Sequence, residues 1–494
     1  MRIACLYVPA FPLAAWLRVE PELGTQAVVI VERTEPQSPV LAASRAAWRW
    51  GIGPGMRLSQ AQNLCRTLIV RSRNPLLLES ARAALVDAAA SCSPLIEPAE
   101  DGVVYVGLEG LIGHWCISEA QWATQLATRC ERLGLPARVA VASTKTAALL
   151  AAMRRDGVTV LAPEEEADFL APLPVAALRP SEPLLTTLER WGIHTVGQLV
   201  QLPLRAVGTR LGPEGVTLIR RARGEEREPL QPRLCPVVFE EAMEFESGID
   251  NLEPLVFVLR ALLDRLAARL EARGFVCAGL QLRLHLLSTG WEERTIAMAY
   301  PNNEVKALLG LLRLHLEQQP PQAALDAVRL RACPEVLRPS QLDLFLPHGP
   351  APAAFTTVLA QLSSLCGSER VGSPVVPNTH RLDSEGMVPF GSATRQAVGT
   401  TPPPSVLPPL ALRRFRPPLA VEVFSERERP DFVRGPGLGG RVVSWAGPWR
   451  VRTEWWSERP YARDYYDVQL SDGGLYRLFR DEEQHQWFVD GVYD

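Results

Sequence analysis

The sequence predicts an α+β protein of several domains, and three observations carry that reading. From Ile3 to Ala142 short apolar runs alternate with amphipathic stretches, as strands and helices do in mixed order. Between Val237 and Ala332 two long amphipathic helices fall among strands of period two. After Gly391 the composition turns to proline, serine and threonine, and then to densely spaced aromatics. At 494 residues the chain is too long for one core.

The elements follow in order. Ile3–Val8 reads as a buried strand, Phe11–Val19 as a short helix, and Ala27–Glu32 and Val40–Ser44 as further strands. Arg45–Trp50 comes next, then Gly51-Ile52-Gly53-Pro54-Gly55-Met56, a turn that cannot be helical. Ser59 is the expected cap for a helix running to Cys65. Leu76–Ser91 is an amphipathic helix, Val103–Leu108 a strand, Ile117–Leu133 a helix, and Ala137–Ala142 a strand opening a helix at Ser143-Thr144-Lys145. This pattern predicts helices on one face of a sheet. Further on, Val237–Phe245 is a strand and Leu252–Arg273 a helix with Leu255, Val258, Leu259, Leu262 and Leu263 at helical spacing. Ala278–Leu286 alternates leucines with Gln281, Arg283 and His285, a half-buried strand joined to Arg294–Ala299 across Ser288-Thr289-Gly290. Asn303–Glu317 is a second helix and Ala324–Ala332 a last strand.

Apolar residues make up 47% of the chain and charged ones 22%, as in ordinary soluble protein. The net charge of −3 gives no global field for nucleic acid, so any such contact is local. Nine cysteines with no CxxC and no His/Cys cluster imply reduced thiols and a cytoplasmic protein, with no metal site and no cofactor. No apolar run is long enough for a signal core or a membrane span.

One short stretch carries a binding motif. Gln341-Leu342-Asp343-Leu344-Phe345 offers Leu344 and Phe345 to a surface pocket and Gln341 to its rim. Its plain alternative is a final edge strand. The peptide resembles the bacterial sliding-clamp-binding consensus.

The order of elements resembles the Y-family of translesion DNA polymerases. The matching pieces are the opening strand, Ala27–Val31, the Gly51–Met56 turn, Ile96-Glu97-Pro98, and Ala140–Lys145. Leu188–Leu199 looks like the helix-hairpin-helix thumb and Ala222-Arg223-Gly224 like its exit. The resemblance covers about residues 3–345 and implies a right hand with palm and fingers over 1–165, a thumb over 166–232 and a little finger over 233–346. A short extension over 347–390, a proline-rich linker over 391–440 and a protein-interaction module over 441–494 complete the expected organisation. Within the linker, Leu412–Pro418 is a basic-aromatic patch read as solvated chain.

Family chemistry needs carboxylates that hold two Mg²⁺ ions. Here the aligned positions are Tyr7, Pro9, Gly102 and Val103. Neither a phenol nor a proline replaces a carboxylate as ligand. Glu100 and Asp101 lie two residues earlier and are the only route to relocated ligands. The triphosphate positions fall on Arg45 and Trp48, the sugar-discriminating one on Pro12, and only Lys145 survives from the nucleotide pocket. In the thumb, Arg179-Pro180-Ser181 replaces the first hairpin, while Gly192-Ile193-His194-Thr195 is either a phosphate-binding hairpin or a plain turn between helices. The DNA contacts implied are Lys145, Gly192, Ile193, Thr195, Arg283 and Arg294, with His285 beside them.

This pattern of loss resembles a branch of the Y-family found in bacterial mutagenesis cassettes. Ser368–Val375, Thr379-His380-Arg381 and Pro389-Phe390 resemble a segment of that branch. Trp449, Trp455, Trp456, Tyr465, Tyr466 and Trp487 belong to a stretch that resembles its C-terminal module, serving either as a compact core or as interface anchors. The resemblance implies a non-catalytic adaptor in SOS-type mutagenic translesion synthesis. It implies as partners the sliding clamp, the RecA-like protein ImuA, an error-prone C-family polymerase and, weakly, damaged or primer-template DNA. The alternative is an active Y-family polymerase with relocated metal ligands. A third reading is a DNA-binding protein independent of the clamp.

Overall fold

The computed structural model describes residues 2–111, 117–225, 228–234, 236–336, 410–426, 429–456 and 460–493, with scattered positions between 355 and 388. The chain divides into two units, Met1–Leu365 and Cys366–Asp494. The clamp-like pentapeptide Gln341–Phe345 and residues 391–409 lie outside the described residues.

The first unit opens with strand β1 (Ile3–Tyr7) and helix α1 (Phe11–Leu17). A small lobe follows: β2 (Val28–Val31), β3 (Val40–Ala43), α2 (Arg45–Arg49), α3 (Leu58–Leu64) and β4 (Ile69–Ser72), with sheet order β3-β2-β4. The cap of α3 is Arg57 rather than Ser59, because the Gln60 side chain reaches back to accept from the Arg57 amide at 3.3 Å. Helix α4 (Pro75–Ala90) leads to β5 (Ile96–Pro98), β6 (Val103–Gly107), α5 (Glu119–Arg132), β7 (Arg138–Ala142), α6 (Lys145–Arg154) and β8 (Val158–Val160).

These strands form a sheet of order β5-β6-β1-β7-β8 with β1 antiparallel to both neighbours. Ala4 and Leu6 face a core built with α4 and α5, whereas Ile3 and Cys5 face α6 and the helices that follow it. Both faces are therefore covered, against the one-sided expectation. The reason is legible in β1, where Ile3–Leu6 holds no polar residue and neither face can meet water.

Four helices come next: α7 (Glu166–Leu170), α8 (Glu182–Arg190), α9 (Val196–Val200) and α10 (Leu204–Ala222), the last broken at Gly212 and Pro213. The third sheet comprises β9 (Phe239–Ile249), β10 (Phe275–Leu286), β11 (Gly290–Asn302) and β12 (Leu325–Val336) in the order β11-β10-β12-β9. Helices α11 (Leu252–Ala272) and α12 (Val305–Gln318) cover one face, as their leucine spacing predicts.

A buried ionic hub ties this last subdomain to the first. The Glu241 carboxylate on β9 accepts from Arg18 at 3.2 Å, Arg265 at 3.0 Å, Arg269 at 3.1 Å and the Ser80 hydroxyl at 2.5 Å. Arg269 also pairs with Asp87 of α4 at 2.7 Å. Burial pushes the Glu241 carboxyl up, but the three guanidiniums and Ser80 outweigh it and hold it at about 2.

In the second unit β13 (Ser373–Val375) pairs with β14 (Gly386–Val388). Strands β15 (Leu412–Glu426), β16 (Arg429–Gly435), β17 (Leu438–Thr453), β18 (Tyr461–Leu470), β19 (Leu475–Asp481) and β20 (Gln486–Tyr493) form a closed antiparallel barrel. The expected linker over 391–440 is corrected here, since Leu412–Pro418 is the start of a barrel strand. Leu412 pairs with Tyr493, and Arg414 meets the buried Asp490 carboxylate at 2.9 Å. The register skip between Arg414 and Leu419 takes up Pro417 and Pro418, which have no amide to give the ladder.

Candidate functional site

The end of β1 is where a Y-family fold would assemble its metal ligands. Tyr7 pairs with Val103 of β6 and Arg138 of β7, and Pro9 follows at the turn into α1. Gly102 sits at φ +77°, and a Cβ added there would lie 2.9 Å from the Val8 carbonyl and 3.0 Å from the Phe11 Cβ. The Val8 amide donates to the Gly102 carbonyl at 2.8 Å, which pins the two segments together. A side chain at 102 is thus excluded by conformation and by packing. Val103 is buried. The residues at these four places do not fit a divalent cation.

Glu100 and Asp101 are engaged elsewhere. Glu100 pairs with Arg179, and Asp101 with Arg82 and with Arg73 at 3.5 Å. Among the described residues no group of three or more His, Cys, Asp or Glu side chains is placed to share an ion.

Lys145 starts α6 behind its Thr144 cap, and it is buried rather than solvated. Its ammonium meets Glu97 at 2.8 Å and Glu228 at 3.5 Å and lies 5.7 Å from the centre of the Tyr105 ring. These residues line a cleft of about 420 Å³ with Arg179 and Arg221. An incoming anion would have to displace two carboxylates from the lysine.

The two thumb hairpins are both built. Arg179 adopts the left-handed conformation itself, at φ 54°, where a glycine is the easier residue. Gly192 turns the second hairpin at φ +75°. The amides there are taken internally: Gly192 donates to Glu189, Ile193 to Leu188, and His194 and Thr195 both to the Gln198 side chain. The phosphate-binding amides expected at Gly192, Ile193 and Thr195 are therefore occupied by the helix cap.

On the third sheet the face away from α11 and α12 carries Gln281, Arg283 and His285 of β10. Register places Thr295, Glu293 and Trp291 of β11 on one side of them, and Arg331 and Arg329 of β12 on the other. Arg283 and Arg329 both stack on Trp291, at 5.2 and 5.1 Å. Arg294 does not join them. It pairs with Leu282, so it lies on the helix-covered face, buried, bonded to Glu292 and to the Gln319 carbonyl. Arg329 and Arg331 were missed in the sequence, although the alternation Val328-Arg329-Leu330-Arg331 places both on the open face.

Residues 6–153 match the impB/mucB/samB family model. Protein ImuB of Caulobacter vibrioides is 27% identical over 469 residues, covering 90% of this chain and all of its own. This chain is similar to ImuB along nearly all of its length. DNA polymerase IV of Dehalococcoides mccartyi is 29% identical over 293 residues, 57% of this chain and 73% of that protein. The solved structure of DinB from Sulfolobus solfataricus aligns with 68% of this chain and all of its own at 14% identity, with a TM-score of 0.41. The match to ImuB extends past the first unit, which ends at Leu365 of 494 residues, and into the second.

In that second unit the aromatic residues of this chain divide in two. Tyr465 and Tyr466 are buried, and Trp487 packs 5.1 Å from the Tyr466 ring, so these three build the barrel. For Tyr465 and Tyr466 the interface-anchor role is corrected in favour of the compact core, because the closed barrel turns their side chains out of reach of a partner. Trp449, Trp455 and Trp456 remain exposed, the last two at 79% and 69%. They form an edge-to-face pair 5.6 Å apart at the turn after β17. No helix among the described residues is long and apolar enough to cross a membrane.

Proposed function

We propose that this protein, like the ImuB it resembles, is a non-catalytic adaptor for SOS-type mutagenic translesion synthesis in the cytoplasm. The observation that carries the reading is the site at Gly102. Strands β1 and β6 pair side by side, and the four ligand places that the Y-family resemblance assigns at their ends hold Tyr7, Pro9, Gly102 and Val103. Pairing of Glu100 and Asp101 with arginines weighs against relocated ligands and so against an active polymerase. Strand β12 ends at Val336, and Gln341–Phe345 follows within a few residues, where it would tether the protein to a sliding clamp. ImuA and an error-prone C-family polymerase would be recruited by the second unit, with exposed Trp449, Trp455 and Trp456 as anchors.

The deciding experiment is a titration of the purified protein against the cognate clamp, beside Leu344→Ala/Phe345→Ala. Losing two pocket-filling side chains is expected to weaken binding at least about a hundredfold. Equal binding by both proteins would remove the tether.

Duplex DNA would lie on the open face of the third sheet, held through Arg283, Arg329 and Arg331. Because such contacts are to phosphates, Arg283→Ala/Arg331→Ala should flatten the slope of log affinity against log salt by about 2 for duplex DNA. An unchanged slope would take DNA off this face.

A further inference from the structure

The small lobe of β2, β3, β4, α2 and α3 has its own core, centred on Val29, Val31, Ala47, Ile52 and Ala61. Its surface differs in charge from the rest of the chain. From Pro36 through Leu78 there is no aspartate or glutamate, whereas Arg45, Arg49, Arg57, Arg66, Arg71 and Arg73 all fall in that run. Arg71 is committed to Glu20 at 2.9 Å, and Arg73 to Glu32 and Asp101. Arg45, Arg49, Arg57 and Arg66 are exposed, and no carboxylate of the described residues forms an ion pair with them. In a protein of net charge −3 this is a segregated cationic lobe.

Two large aromatic side chains of the same lobe are also exposed. Trp48 of α2 and Trp50 just after it are each 58% exposed. An added Cβ at Gly53 would lie 3.3 Å from the Trp48 ring, so the glycine turn backs that ring closely. Exposed tryptophans among unneutralised arginines leave apolar area in water that a flat, anionic partner would cover.

We propose that this lobe is a binding site for single-stranded DNA. Trp48 and Trp50 stack on unpaired bases, and Arg45, Arg49, Arg57 and Arg66 meet the phosphates between them. Every base presents a π face, so such a site holds a strand without reading its sequence. A duplex keeps its bases stacked on one another and offers an aromatic ring only its ends, which is why the ligand is single-stranded. The site extends the DNA-binding reading above to a second surface, distinct from the third sheet.

The test measures anisotropy of a labelled oligothymidylate titrated with the full chain. Trp48→Ala/Trp50→Ala should weaken binding at least about tenfold, while Trp48→Phe/Trp50→Phe, which keeps two stacking faces, should stay within about threefold of the parent. Arg45→Ala/Arg49→Ala should lower the salt slope on the single strand by about 1.4. Duplex affinity should be unchanged in all three, and failure of the third-sheet variant on duplex is read separately. Unchanged single-strand binding in the Trp→Ala pair would overturn the proposal. Equal loss in the Phe pair would overturn stacking. Tighter binding of an acidic peptide than of the oligonucleotide would assign the lobe to a protein partner instead.

Discussion

Glu241→Ala is expected to destabilise the first unit by about 3–5 kcal/mol, the cost of breaking a buried ion pair by removing one partner. Arg18, Arg265 and Arg269 would be left close together with no carboxylate among them, and only Arg269 keeps Asp87. Ser80 would also lose its acceptor. Glu241→Gln keeps the shape and some hydrogen bonds but not the charge, so its loss should be smaller. Urea denaturation followed by far-UV signal would report the shift in midpoint, and a change below about 1 kcal/mol would show that the hub does not hold the two subdomains together. The pH dependence gives a second check. The Glu241 carboxyl is lowered from an ordinary 4.5 to about 2 on folding. Its contribution is therefore fully present above 4.5 and is lost as the pH falls through about 2. Parent and Glu241→Gln should converge only in strong acid.

Gly102→Asp, the change that would put a carboxylate just ahead of β6, should cost about 2–5 kcal/mol and yield no polymerase. The left-handed φ of +77° alone penalises any L-residue by about 1–2 kcal/mol. Contacts of 2.9 Å to the Val8 carbonyl and 3.0 Å to the Phe11 Cβ add overpacking of about 1–3 kcal/mol. Thermal melting would measure the first part of this expectation. Primer extension with Mg²⁺ by a protein carrying aspartate at 7, 9 and 102 would measure the second. A variant that melts like the parent and extends a primer would mean that the palm had lost only its ligands and not their seats.

Much of this was legible in the chain. The period-two run Leu280-Gln281-Leu282-Arg283-Leu284-His285-Leu286 reads directly as a sheet with one covered face, and the structure agrees. Arg294 was misplaced because its face depends on the hairpin register. Leu286 pairs with Gly290, which carries Arg294 opposite Leu282. Leu412–Pro418 was misread because two adjacent prolines look like tether, whereas a long strand with a skip absorbs them. The Glu241 hub left no local signal at all. Its partners come from Arg18 and Ser80, far away in sequence, and an arginine on an amphipathic helix reads as solvated until something packs over it.

The pairing of Leu412 with Tyr493 has a practical meaning for mapping partners on the second unit. Strand β20 is flanked by β15 and β19, so it is a stave and not a tail. A nested deletion that cuts before Gln486 would spring the cask open and expose Val421 and Leu478 to water. Every partner would then be lost at once, whichever surface it uses. Point changes at Trp449, Trp455 and Trp456, which leave the hoops intact, can separate a lost contact from a lost fold.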